Sequence, residues 1–470
     1  MDVAKTTDGT VAQVEEIGVA AKSTGPLVGF VMSLVGTLAT VVLFPAQPTP
    51  RGALFVPALV LSAAIIVVPL MRALTGAVTK MNAENFVAIG FVFWLLLDLI
   101  QGAYDLRDAS DEALQQALVA IGLSSAAMWL GVAGRPWRLP PGLSELASTH
   151  LDSATIGRLV PVCFVLGMLN YAYAVGFDIP VMFSYLGEQR WAAPWGRAQL
   201  GGWGSFIDQM PYFGYVLPSL TAVLIVRRGF VFQTWLSIAM SGIMLAFLAQ
   251  GGGRRIIGVT CGAALIVWVQ SQPSLNLRKI LSVGASVVVL LWSMQFMLNI
   301  RSQGYDEFIF RGSSDYDYLH VDDNFLRLAQ VIQLVPAQHD YVYFQQLIFT
   351  AVRPVPRVFW PGKPVDPGFD LPAEVGMKGV SLSTSIIGEW YLSWGWIAVI
   401  FGGWFHGRLA GAANLLRAPT NQANPIVFAL AVMVLVSGMR SMQDLVIMSY
   451  ALVAWWGANR LARKQVLPER

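Results

Sequence analysis

Long apolar runs, broken by short polar stretches that carry arginine, dominate the 470-residue chain. A hydrocarbon core about 30 Å thick is crossed by roughly 20 apolar residues of helix. Runs of this kind predict spans near 25-45, 53-74, 85-104, 112-134, 155-176, 207-226, 231-250, 256-271, 279-299, 386-407, 424-439 and 442-460, with 256-271 and 424-439 short for a full crossing. Between 300 and 385 aromatic, charged and apolar residues mix, which predicts a folded segment and not a linker. Inside it, DNFLRLAQVIQLV places Phe325, Leu328, Ile332 and Val335 on one helical face, with Asp322 or Asp323 positioned to cap the start. That spacing predicts a short amphipathic helix lying on the membrane surface. The fold class read from this pattern is an all-α polytopic membrane protein of about twelve helices with a large structured outer loop. Its parts are a tail over 1-24, a membrane domain over 25-299 with an outer loop near 177-206, the long loop 300-385, three last helices over 386-460 and a tail over 461-470.

Composition agrees: 55% of residues are hydrophobic, 13% are charged, and the mean hydropathy is +0.58. A net charge of +3 spread over scattered loops excludes a nucleic-acid partner. Cys163 and Cys261 fall in apolar runs, where a thiol is a small hydrophobe, so neither a disulfide framework nor a metal site is expected. The first 24 residues carry acids and lack a basic stretch followed by an apolar one, and they read as a cytoplasmic tail. With both termini inside, the inner side collects Arg72, Lys80, Arg135, Arg138, Arg158, Arg227, Arg228, Arg278, Lys279, Arg408, Arg417 and Arg460, while short outer loops hold far fewer cations. This is the asymmetry of the positive-inside rule, and it turns 177-206 and 300-385 outward.

Candidate chemistry gathers on that outer side. RPVPRVFWPGKP, Arg353 to Pro364, has four prolines that fix φ and remove donors, which predicts an extended, rigid stretch presenting Arg353, Arg357 and Lys363. Guanidinium groups bind phosphate bidentately, and Phe359 and Trp360 offer faces for a sugar ring or headgroup. The alternative reading is interfacial anchoring. GGGRR places Arg254 and Arg255 at a helix start after three glycines, a candidate seat for a diphosphate. Loop 177-206 adds Arg190 and Arg197 beside tryptophans, and Arg301 opens the long loop. Candidate general bases are His320, Asp322, Asp323, Asp366 and Glu389, with no spacing that selects one. The four histidines lack paired-ligand spacing and no Walker A sequence occurs, so no metal or nucleotide cofactor is expected.

Two arginine-rich outer loops, the string PRVFWPGKP, and STSIIGEWYLSWGW entering a late span resemble the bacterial oligosaccharide repeat unit polymerases, the Wzy-type O-antigen and exopolysaccharide polymerases. The likeness is best over 340-407 and faint over the first 150 residues. That family's pattern of Arg, ten residues, then Gly in each large outer loop is matched by Arg190 to Gly201 and by Arg357 to Gly368. The resemblance implies a fold similar to GT-C type membrane glycosyltransferases and a location in the bacterial inner membrane. It further implies transfer of a growing glycan from undecaprenyl diphosphate to the next lipid-linked unit, without a cofactor, beside a flippase and a chain-length regulator. Roles implied for this chain are catalytic for Arg357, Glu389, Asp323 and His320. Arg254, Arg255, Arg353, Lys363, Arg190, Arg197, Arg301 and Trp360 would hold the diphosphate and substrate. A glycan ligase and a lipid-linked oligosaccharide flippase or exporter stand as alternatives.

Overall fold

The computed structural model describes residues 24-149, 151-188, 192-197, 202-250, 253-272, 274-311, 318-377, 382-417 and 425-466, and among them it is helical with no strand. The first half holds α1 (Thr24–Val42), α2 (Phe55–Ile65), α3 (Val67–Leu74), α4 (Ala83–Gln101), α5 (Asp111–Ala133), α6 (Ser153–Ala174), α7 (Pro211–Arg228) and α8 (Phe232–Gln250). The second half holds α9 (Arg254–Gln270), α10 (Leu277–Arg311), α11 (Asn324–Leu334), α12 (Gln345–Val352), α13 (Ser385–Asn414), α14 (Pro425–Gly438) and α15 (Met442–Val466).

A helix occupies each of the twelve apolar runs, but the runs are not alike. Among the described residues seven helices are long and apolar enough to cross a bilayer, and the pair α2 and α3, bent by 62°, would make an eighth. The chain is therefore a multi-pass membrane protein. α14, with 14 residues, is only about 21 Å long, shorter than the hydrocarbon core. α10 runs 35 residues, about 52 Å, so its helix continues past the boundary expected at 300. It also stands apart: Leu281, Val288, Val289 and Trp292 are each more than 60% exposed, a surface suited to lipid and costly in water.

Small residues set the centre of the bundle, because helices in lipid gain mainly from close packing. A Cβ on Gly403 would lie 2.2 Å from the Ser124 carbonyl oxygen, and one on Gly407 would lie 2.0 Å from that of Met128. α13 and α5 thus cross with their backbones touching. On the other side of α5, Gly122 meets Thr37 and the Ser33 and Ser125 hydroxyls are 3.1 Å apart.

Two expectations for the long loop are corrected. α11 forms where the pattern placed it, yet it is buried on nearly all sides, including Asn324, Arg327 and Gln330, and does not lie on a surface. Its polar face is tied internally, with Arg327 Nη1 donating to Gln330 Oε1 at 2.9 Å. Asp323 precedes the helix at φ 51° and makes no side-chain cap. The stretch from Arg353 to Pro364 is a succession of turns and not an extended rod. Phe359 N donates to Pro356 O and Lys363 N to Trp360 O, and prolines at turn positions favour this as readily as extension.

Candidate functional site

One end of the bundle carries residues 318-377, the starts of α9, α13 and α15, and Arg440 in the turn between α14 and α15. Here an alternating chain of charges is assembled from three separate stretches. Arg254 Nη2 lies 2.5 Å from Asp322 Oδ1, and Arg440 Nε lies 2.6 Å from Asp322 Oδ2. Arg440 Nη1 reaches Asp444 Oδ2 at 3.1 Å, and Arg255 Nη1 reaches Asp444 Oδ1 at 2.6 Å. Arg254 also donates to the His320 carbonyl at 2.7 Å. Burial alone would raise the Asp322 carboxyl, but the Arg440 and Arg254 guanidiniums outweigh it and hold the group down at about 2. Against its own burial, Arg440 is held still more firmly protonated by Asp322 and Asp444. Arg254 and Arg255, expected as a diphosphate seat, are thus each engaged by a carboxylate, which braces α9 against the long loop and α15.

Beside this network, His320 Nδ1 faces Asp323 Oδ1 at 3.5 Å, and Asp323 Oδ2 faces Arg327 Nη2 at 3.5 Å. Burial, only partly offset by Asp323, keeps the His320 imidazole below its ordinary value, so it is neutral near pH 7. Glu389, on the first turns of α13, is buried and accepts from the Met442 backbone N–H. Two turns on, α13 breaks: Trp394 has φ −151° and ψ 32°, and Gly395 has φ 61° and ψ −140°. The Val342 N–H of the long loop donates to the Leu392 carbonyl that the break exposes, at 2.9 Å. The Tyr341 hydroxyl packs so closely on Gly395 that a Cβ there would meet it at 2.8 Å.

The turns after α12 form an exposed cationic ledge. Lys363 Nζ donates to the Arg353 and Val355 carbonyls at 3.2 and 2.8 Å, so the ammonium itself staples the turn. Exposed Arg353 stacks on Phe349 at 5.8 Å. Among the described residues exposed Arg357 makes no hydrogen bond or ion pair, and no carboxylate forms an ion pair with any of the trio. Desolvation first, and then repulsion from Arg353 and Arg357, lower the Lys363 ammonium. Phe359 packs edge-on against Phe206, and Trp360 is 42% exposed. An open cleft of about 400 Å³ adjoins the ledge, lined by Gln345, Ile348, Pro364, Val365 and Asp366. Gly368 packs on one of these lining residues at φ 90°; a Cβ there would strike the Gln345 side chain at 2.7 Å, which gives the glycine of the Arg357 to Gly368 pair a structural reason.

The sequence candidates therefore separate into three groups. Arg353, Arg357, Lys363 and Trp360 come together at the ledge, Arg254, Arg255, His320 and Asp323 at the network, and Glu389 stands buried beside Met442. Arg190 lies outside the described residues, as do the side chains of Arg197 and Arg301. From the sequence Asp444 next to Arg440 reads as a brace between helices or the lining of a cavity, but that Arg440 also joins Asp322 was missed, as were the cleft residues Gln345 and Ile348. Among the described residues no group of three His, Cys, Asp or Glu side chains is placed to hold a metal ion. No protein-family model matches the chain, and neither a curated protein nor a solved structure is significantly similar to it.

Proposed function

We propose that this protein polymerises lipid-linked oligosaccharide repeat units at the outer face of a bacterial inner membrane, with all twelve helical runs forming a GT-C-like membrane domain. The observation that carries this reading is the ledge: Arg353, Arg357 and Lys363 gathered without an ion-paired carboxylate among the described residues, next to a largely apolar cleft. Clustered, unneutralised cations are unfavourable unless an anion occupies them, and a polyprenyl diphosphate joins such an anion to an apolar chain. In the reaction the bond from the donor sugar C1 to the diphosphate oxygen breaks. The electron pair leaves with undecaprenyl diphosphate, whose growing charge the guanidiniums stabilise. The acceptor hydroxyl oxygen bonds to C1 and gives its proton to a base. Asp366 suits that role because it is exposed and lines the cleft, with Oδ1 held by the Gly368 N–H at 2.7 Å, whereas Glu389 is buried and Asp323 and His320 face each other beside the ion-pair network.

Purified protein in liposomes with lipid-linked repeat units yields a product ladder on this reading. Arg357→Ala abolishes the ladder while leaving the protein folded, and Arg357→Lys restores only part of it, because an ammonium has no bidentate fork. A normal ladder from folded Arg357→Ala protein sinks the proposal. The break in α13 favours one other reading, a transporter, since interrupted helices commonly frame transport sites. In that case the lipid-linked unit changes leaflet in the same liposomes and no ladder forms.

A further inference from the structure

At the opposite end of the bundle, about 34 Å away along α5, the loop GRPWRLP follows Ala133 and wraps the last turns of α13. The Arg408 guanidinium is set between two indole rings, 5.4 Å from the Trp137 centroid and 5.8 Å from that of Trp404. Trp137 in turn packs edge-on against Trp404 and Phe405, at 5.9 and 5.4 Å. Gly134 passes so near that a Cβ on it would lie 2.4 Å from Arg408 Nη1. The guanidinium plane is therefore fixed, yet Arg408 Nε is buried without an acceptor among the described residues. Arg135 and Arg138 flank Trp137, both exposed and both without a hydrogen bond or ion pair among the described residues.

Several other arginines at this end are engaged. Arg72 faces Glu84 at 4.0 Å, Arg227 donates to the Leu151 carbonyl, Arg228 donates to Gln233, and Arg417 donates to Thr79 O and Asn82 Oδ1. We propose that Arg135, Arg138 and Arg408 form a binding site for a phosphate group, carried by an anionic phospholipid headgroup or by a soluble phosphate. Three guanidiniums with one fixed plane match the forked recognition of phosphate oxygens, and an oxygen there gives Nε its missing acceptor. Tryptophans at headgroup depth and basic pockets between helices are the usual setting for acidic lipid. The site is independent of the ledge at the other end.

The test uses the full chain, purified from vesicles of equal parts phosphatidylglycerol and phosphatidylcholine, with retained lipid counted by native mass spectrometry. Phosphatidylglycerol is expected to be retained over phosphatidylcholine, and R408Q and the double variant R135Q/R138Q each lower that retention about tenfold. The double variant changes only exposed side chains, so it keeps the test valid if R408Q fails to fold. Arg278, exposed at the same end and with no side-chain hydrogen bond or ion pair among the described residues, supplies the control: R278Q keeps the lipid. Inorganic phosphate in the buffer distinguishes the sources, since a site for soluble phosphate releases the lipid and a headgroup site retains it. Equal retention of both lipids, or unchanged retention in R135Q/R138Q, overturns the proposal.

Discussion

Replacing Asp322 by Asn removes one charge from the middle of the ion-pair chain and little else. Asp322 has φ 71°, a left-handed conformation that Asn adopts readily, so the backbone is spared. Its carboxylate holds Arg254 at 2.5 Å and Arg440 at 2.6 Å, and its side chain is 23% exposed. Removing one member of a buried pair costs about 3–5 kcal/mol. Arg440 keeps Asp444 and the site is partly wet, so the lower end, about 3 kcal/mol, is the expected loss. A pH effect accompanies it. The carboxyl is depressed from 3.8 to about 2, so its stabilisation is complete above the unfolded value and disappears as pH falls through the folded one. That is a loss of about 2 kcal/mol between roughly pH 4 and pH 2. Reversible unfolding in mixed detergent micelles at pH 7 measures the first quantity, and repeating it down the acid limb measures the second. An Asp322→Asn protein within about 0.5 kcal/mol of the wild type, or one that keeps the full acid limb, refutes a structural role for the network.

Two further substitutions test the packing and the ledge. Gly407→Ala forces a Cβ to within 2.0 Å of the Met128 carbonyl oxygen and should destabilise by about 1–3 kcal/mol or more, while Gly242→Ala, with open space around its Cβ, should leave stability unchanged or slightly higher in the same unfolding assay. Lys363→Met removes the ammonium that joins the Arg353 and Val355 carbonyls; the bundle should unfold as before, but limited proteolysis should cut between 353 and 364 several-fold faster.

How far the helices were legible follows from the solvent. A chain in hydrocarbon satisfies its backbone within each segment, so an apolar run of sufficient length is a helix whatever its neighbours are. The runs accordingly located α1 through α10 and α13 through α15, and the shortness of 424-439 reappears as the 14 residues of α14. The amphipathic spacing likewise located α11, because periodicity reports which face is apolar. What covers the other face is a long-range matter. Arg327 and Gln330 read as solvent positions, but they satisfy each other inside the protein.

Charge is where sequence and tertiary structure part. Arg254 and Arg255 follow three glycines at a helix start, and nothing within 60 residues of them tells that Asp322 and Asp444 will neutralise them. Coulomb energy depends on distance in space, and residues 68 and 189 positions away were brought within 2.6 Å only by the packing of α9, α15 and the long loop. Arg353, Arg357 and Lys363 are the converse. Their mutual closeness was written locally, by twelve residues with four prolines, whereas their lack of an acidic partner among the described residues is a property of the folded surface. Sequence by itself determined the helices, the small residues that let α5 meet α13, and the cationic stretch after α12. Only the tertiary structure decided which cations brace the fold and which are left without an acidic partner among the described residues, because neutralisation requires a partner that the chain supplies from afar.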